Sequence, residues 1–392
     1  MISASVGVGT DKDPYKAGSE ACAQAVSGIA AGSRVHALIV FGSTAFDQDK
    51  LLAGVRETAP DALLIGCSTA GEISSEGRST EKSVVVMALS SDQMRFWGGI
   101  GNHILWNPHQ AGEECANALQ YDSRGYVSSA LMFLDVLSGS ADATLGGVFK
   151  KLGDEFPVYG GAAADDMIFF ETYQYLQNKV FKGSIVGMGL SGDYHAVGVA
   201  MHGFLPIGIA REVTRSEGTT LFELDGKPAS SIYEEYFGEE HLSELHEGLL
   251  PALAVSYPLG VFSDESNDVV LRNPIFVDQK GAMTFTSEIP LHADVRLMIS
   301  DIERALETAT LAAKEVLKKL DGKKPKAVII INSVARKKML GLHADEEIEI
   351  IQGIFGRDVP MIGLYTYAQI DKQFGNSTPF HNGSLLIWAL AE

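Results

Sequence analysis

The stretch Ala62-Leu-Leu-Ile-Gly-Cys-Ser-Thr-Ala-Gly-Glu72 decides how the chain is read. Its apolar run, Leu63 to Ile65, has the length and composition of a buried strand. The run ends in a thiol, two hydroxyls and a carboxylate, set among Gly66, Ala70 and Gly71. Those small residues let the backbone turn and let a second group come close. The phrase returns, altered, as Pro157-Val-Tyr-Gly-Gly-Ala-Ala-Ala-Asp-Asp166 and as Pro360-Met-Ile-Gly-Leu-Tyr-Thr-Tyr-Ala-Gln369. Upstream of each copy lies an apolar strand: Ala37-Leu-Ile-Val-Phe41, Ala130-Leu-Met-Phe-Leu134 and Ala327-Val-Ile-Ile-Ile331. Downstream lies another: Ser83-Val-Val-Val-Met-Ala-Leu89, Ser184-Ile-Val-Gly-Met-Gly-Leu190 and Ser384-Leu-Leu-Ile-Trp-Ala-Leu390. The interval before each phrase has room for one helix. The chain therefore reads as an internal repeat of strand, helix, strand, small-residue loop, strand.

With 392 residues the chain has room for two or more domains with real cores, and 46% hydrophobic with 21% charged residues is a globular composition. Thirty-one Lys and Arg stand against 50 Asp and Glu, a formal net charge of −19. So negative a surface repels phosphate backbones and anionic bilayers, which excludes nucleic acid and membrane as partners. Cys22, Cys67 and Cys115 form neither a disulfide framework nor a zinc spacing, and fit a reducing, cytoplasmic setting. No apolar run reaches transmembrane length, and the N-terminus lacks the basic region and apolar core of a signal peptide.

Residues 1–29 read as a loose, glycine-containing lead followed by a helix beginning near Ser19. Further helices are expected over 47–59, from the Asn107-Pro108 cap, from Ser140 to Gly153, from the capping box Ser300-Asp-Ile-Glu303 to about residue 320, and over 345–355. Strands between Thr172 and Gly203 read as an antiparallel meander, and Asp225-Gly226 as a hairpin turn. The expected class is α/β with mixed parallel and antiparallel sheets. Two modules fall in a domain over 30–225 and one in a domain over 226–392. In open α/β sheets ligands gather at the carboxyl ends of strands, where the three loops lie.

That placement makes Cys67, Ser68, Thr69, Gly71, Glu72, Gly161, Ala162, Asp165, Asp166, Tyr365, Thr366 and Tyr367 candidate ligand-binding residues. Arg336, shortly after a strand, could hold a carboxylate bidentately, and His381 and Asn382 precede the last strand. Each has a plainer reading. Asp165 or Asp166 caps a turn, Arg336 is a surface charge beside Lys337 and Lys338, and His381 is a loop hydrogen-bonder. The residues 66–71 carry neither the G-x-G-x-x-G nor the G-K-[ST] of a phosphate loop. Cys67 has no base at hand, because His36 heads a parallel strand at the far end of the sheet, so no enzyme, catalytic residue or metal site is expected. His241 and His246 miss the i, i+4 spacing of paired ligands, although one of them could hold a haem iron from one side.

Several phrases resemble a known family. Ile65-Gly-Cys-Ser-Thr-Ala-Gly-Glu72, Tyr159-Gly-Gly-Ala-Ala-Ala-Asp-Asp166, Glu212-Val-Thr-Arg-Ser-Glu-Gly218 and Leu224-Asp-Gly-Lys-Pro228 look like the N-terminal FIST domain. Leu271-Arg-Asn-Pro274, Ile362-Gly-Leu-Tyr-Thr-Tyr367 and His381-Asn382 look like the C-terminal FIST domain. The chain departs from the pattern at Ala368-Gln369, where the family usually has Gly-Glu, and at Asn332-Ser-Val-Ala, where a Cys often precedes the Arg. The resemblance implies a sensory protein in signal transduction that binds an amino acid or similar polar metabolite and acts through a separate partner. For some members it implies instead a haem-binding nitric-oxide sensor that regulates a histidine kinase. A third reading is a protein-interaction scaffold using the acidic stretch 231–249.

Overall fold

Three glycines carry the repeat into atomic detail. Gly66 lies opposite Val40, Gly160 opposite Met132 and Gly363 opposite Ile330, each in a parallel strand pair. A Cβ at any of the three would run into the carbonyl oxygen of that partner. The equivalence continues one turn on. The backbone N–H groups of Ser43, Asp135 and Ser333 donate to the carbonyl oxygens of Ser83, Ser184 and Ser384 at 3.1, 3.0 and 3.1 Å.

The computed structural model describes residues 1–75, 79–124, 126–238, 255–262, 269–372 and 378–392. The first module runs through strand Ile2–Gly9, helix Pro14–Ser27, strand Ala37–Ser43, helix Gln48–Thr58 and strands Leu63–Thr69 and Val84–Ser91. The second repeats this with Met94–Gly101, Pro108–Ser123, Ser129–Leu134, Ala141–Leu152, Val158–Ala162 and Ile185–Gly192. The third uses His195–Met201, Ile302–Lys319, Pro325–Ser333, Ala344–Phe355, Met361–Thr366 and Leu385–Ala391. A short helix, Val334–Leu340, follows the middle strand of the third module.

Each module also hands a small hairpin to a neighbour. Glu72–Ser74 with Ser79–Thr80 joins the third module's sheet, Gln174–Leu176 with Lys179–Phe181 the first's, and Gln369–Asp371 with Phe380–His381 the second's. The exchange is cyclic, so three six-stranded sheets close around a pseudo-three-fold axis. Because side chains alternate across a strand, every sheet has two apolar faces. Inner faces meet in one core holding Phe41, Phe133, Ile331, Met87, Met188 and Trp388. Outer faces carry the helices, as where Leu38, Val40 and Val86 pack against Ala17, Ala21, Leu51 and Val55.

Between the first strand and first helix of the third module the chain inserts a separate antiparallel sheet, with strands from Leu205–Glu217 to Asp294–Ile299 and the helix Ser231–Phe237. It has its own core around Val213, Leu221, Tyr233, Phe285 and Leu297.

The mixed α/β class and the repeat are as expected, and three placements differ. Residues 2–9 are a strand of the first sheet, not a loose lead. Gly7 and Gly9 are there because the next helix lies against them, so that a Cβ would strike the carbonyl oxygens of Ala21 and Ala17. That helix starts at Pro14, with Asp13 as its cap. His195–Met201, read as part of a meander, pairs with Leu385–Ala391 and opens the third module. The Asp225-Gly226 turn (φ 48° and 74°) lies within the inserted sheet. Finally, Asp301 rather than Ser300 caps the helix Ile302–Lys319. Among the described residues no helix is long and apolar enough to cross a membrane.

Candidate functional site

The three loops meet at the axis. Ala70 N–H donates to Tyr365 O at 2.9 Å, and Ala164 N–H to Ser68 O at 3.0 Å. Tyr365 N–H donates to Gly71 O at 2.8 Å, and Ala162 N–H to Ala368 O at 2.9 Å. Side chains complete the ring: Ser68 donates to Ala164 O at 2.9 Å and receives Tyr173 N–H, while Thr366 donates to Ala162 O. A Cβ at Gly161 would meet Ala368 O and the Ile331 side chain at 2.8 Å. Cys67 is buried in the central core, and burial raises its thiol well above the usual range. The three loops lie at strand ends as expected, and the structure brings them together and bonds them to one another. Cys67, Ser68, Thr69, Gly161, Ala162 and Thr366 form a seal and offer a ligand no face.

Two further groups at the seal are also engaged. Glu72 is buried and accepts from Thr69, from the Ser83 hydroxyl at 2.6 Å and from Ser83 N–H at 3.3 Å; burial raises its carboxyl to about 7. Gly71, at φ 128°, lets Lys337 come in. The Lys337 ammonium donates to Ala70 O at 3.0 Å, pairs with Glu81 at 2.8 Å and stands 5.1 Å above the buried ring of Tyr365. Asp166, at the surface beside this group, has its pKa raised by partial desolvation, with Lys337 opposing.

Arg336 is neither a ligand clamp nor a surface charge. It is fully buried, ion-paired with Glu347, and donates to His202 O at 2.9 Å and Ala305 O at 3.0 Å. Its partner sits on the next helix, and both are held against the sheet with Asn332. A buried ion pair is tolerated when its remaining hydrogen-bonding groups are also met, as they largely are here. Asp165 takes its plainer role: it is buried and accepts the N–H groups of Phe169, Phe170 and Glu171 at 2.8 to 2.9 Å, as well as the Tyr367 hydroxyl. Tyr367 stacks on Phe169 with ring centroids 4.5 Å apart.

Open space lies instead where the inserted sheet meets the body. A crevice of about 30 Å³ is lined by Tyr367, Asn382, Ser333, Asn273 and Thr286. Asn382 donates to Tyr367 O at 3.1 Å, while its Oδ1 and the Thr286 hydroxyl are buried and meet no partner among the described residues. His381, next to Asn382 in sequence, has Nε2 3.3 Å from Asp371 O; burial first, and then Arg272, lower its pKa to about 4.

Beside the crevice lies a cleft of about 700 Å³ between helix Ala141–Leu152 and the inserted sheet. Phe149, Val261, Phe262, Val270 and Leu291 are apolar wall, Arg272 and Asp142 are polar floor, and Lys372, Asp154, Glu288 and His292 also line it. Arg272 is only 4% exposed, and its Nη1 donates to Leu271 O at 3.0 Å and Phe380 O at 3.1 Å. Asp142 accepts from Ser287 and from Glu288 N–H at 2.8 Å. Arg272, the last residue of strand Val269–Arg272, lines the cleft, and Asn273, just past the strand's end, lines the crevice. The cleft was missed from sequence, yet one signal was available. Val269-Val-Leu-Arg-Asn-Pro-Ile-Phe-Val277 sets a charge inside an apolar run, and a buried charge demands a partner.

His241 and His246 lie outside the described residues, as does most of the acidic stretch 231–249. The cleft's own histidine, His292, is held by Glu212 at 2.8 Å. No group of three or more His, Cys, Asp or Glu that could hold a metal occurs among the described residues.

Residues 36–227 match the FIST N domain and residues 229–371 the FIST C domain. The chain belongs to the FIST family, whose domains are sensory modules of signal transduction. An uncharacterized protein of Mycobacterium tuberculosis is 24% identical over 396 residues, covering 95% of each chain. An uncharacterized protein of Methanocaldococcus jannaschii is 27% identical over 239 residues, covering 58% of this chain and 45% of its own length. The chain thus spans about half of that archaeal relative. Among solved structures, cyanuric acid hydrolase from A. caulinodans aligns over 100% of this chain and 99% of its own, with a TM-score of 0.38 and 10% identity. That likeness is too low to bear on activity.

Proposed function

We propose that this protein senses a small polar ligand, an amino acid or similar metabolite, in the cleft between helix Ala141–Leu152 and the inserted sheet. The output passes to a separate signalling partner such as a histidine kinase, in the cytoplasm. The observation that carries this reading is the cleft itself: about 700 Å³, with apolar walls and a few polar groups, in the size and style of metabolite sites. A guanidinium at the floor and carboxylates along the lining suit a zwitterion. A ligand there touches the body through Phe149 and the insert through Val270 and Leu291, so its binding energy can favour one arrangement of the two over another. We read the chain as a sensor and not an enzyme, because its cysteines offer no activated nucleophile: all three are buried, and burial raises Cys22 to about 11 and Cys115 to about 12.

A thermal-shift panel of the twenty amino acids and related polar metabolites tests this. A ligand at about 100 times its dissociation constant adds roughly 2.7 kcal/mol, a readily seen rise in Tm. A selective rise is expected. A flat panel would remove the small-ligand reading.

A further inference from the structure

We infer that the cleft takes an organic carboxylate with an apolar body, and that Arg272 is the residue that holds it. This rests on the sensor reading and specifies its ligand.

The molecule contains two deeply buried arginines that can be compared directly. Arg336 is matched by the carboxylate of Glu347 and by two carbonyl oxygens. Arg272 has two carbonyl oxygens, from Leu271 and Phe380, and among the described residues no carboxylate pairs with it. The Nε of each lacks a partner, so among the described residues what separates them is the paired carboxylate that Arg336 has and Arg272 does not. Asp142 is the acid that acts on Arg272 through space, but its oxygens are engaged by Ser287, Glu288 N–H and Thr378. A guanidinium buried without a counter-ion is costly, and its planar donors match a carboxylate. It sits in the floor of a cleft that opens to solvent and whose walls are Phe149, Val261, Phe262 and Leu291. An anion entering there completes around Arg272 what Glu347 completes around Arg336. Its apolar body packs on the apolar wall of the cleft. The Lys372 ammonium, 5.6 Å above the Phe149 ring, adds positive charge at the same wall.

The test uses calorimetric titration of the full chain with matched acids and amides: phenylalanine and phenylalaninamide, leucine and leucinamide, phenylacetate and phenylacetamide. At least one acid is expected to bind, its amide tenfold or more weaker, and Arg272→Met to weaken the acid to the level of the amide. Arg272→Met could disturb folding, so a second variant leaves the arginine in place. Gly146 lines the cleft from its helix, and a Cβ there would meet only His109 Cδ2 at 3.8 Å. Gly146→Trp therefore fills the cleft without repacking the core, and is expected to abolish binding. Equal binding of acid and amide, or binding that survives Gly146→Trp, overturns the inference. So does a panel in which no acid binds. Should neutral metabolites alone bind, the carboxylate inference falls while the sensor reading stands; should nothing bind, both fall.

Discussion

The three-module body and the inserted sheet are built on opposite plans. In the body, strands such as Ala37–Ser43 and Leu385–Ala391 are buried along their whole length, and loops, glycines and backbone bonds recur in triplicate. In the insert, most of Leu205–Glu217 is at least partly exposed, and the core is small. The motif residues Arg272, Asn273, Tyr367 and Asn382 line hollows only at the junction of the two. The loops of the repeat are tied to one another by bonds between modules. The cleft with a buried arginine in its floor lies where the repeat meets the inserted sheet.

That contrast can be broken most severely at a phrase glycine. Gly160→Val drives a side chain into Met132 O at a φ of 151°, and is expected to cost more than about 4 kcal/mol and abolish folding. Gly226→Ala, in the insert's turn at φ 74° with nothing within 4 Å, is expected to cost about 1 kcal/mol. Urea unfolding of the two compares them, and equal losses would erase the distinction.

The two buried arginines sharpen it further. Arg336→Met strands Glu347 and is expected to cost about 3–5 kcal/mol, largely recovered in Arg336→Met/Glu347→Leu. Arg272→Met strands no described carboxylate and should lose less than half as much. Chemical denaturation at pH 7 measures both.

Glu72 makes the body's stability depend on pH. Its folded pKa is about 7, above the ordinary 4.5, so its contribution is complete below about pH 4.5 and is lost as the pH rises through 7. The shift corresponds to roughly 3 kcal/mol between pH 4.5 and pH 8. Glu72→Gln is expected to flatten that part of the stability profile. His202 and His381, lowered to about 4, act in the other direction: their contribution is present above pH 6.5 and is lost as the pH falls through 4. An effect as small as that of Gly226→Ala is expected for Tyr367→Phe, which removes one of the donors on Asp165 and leaves three N–H groups: about 1 kcal/mol in thermal denaturation.

The triple phrase was legible because strand pairing imposes it: Gly66, Gly160 and Gly363 answer the same backbone contact, and Ser83, Ser184 and Ser384 accept the same bond. The first strand was not, since Gly7 and Gly9 look like slack until the helix packed on them is known. His195–Met201 was misassigned because its partner, Leu385–Ala391, is remote in sequence and local pattern cannot report such pairing. At the site, the placement of each loop at a strand's end was legible, but their meeting and closure were not, because both depend on backbone bonds between modules. Arg336 reads from sequence as either a carboxylate clamp or a surface charge, whereas it is buried and its carboxylate is internal. The Arg272 cleft needed Asp142 and Phe149 from the second module brought against the insert, which no local stretch reveals.

Amide hydrogen exchange with and without the acid that binds tightest tests most directly the claim that recognition lies at the junction and not at the axis. The expected result is slower exchange in the helix Ala141–Leu152, in strand Val269–Arg272 and over 288–293. Slowing confined to 68–72, 162–166 and 365–369 would contradict it and return the site to the three loops.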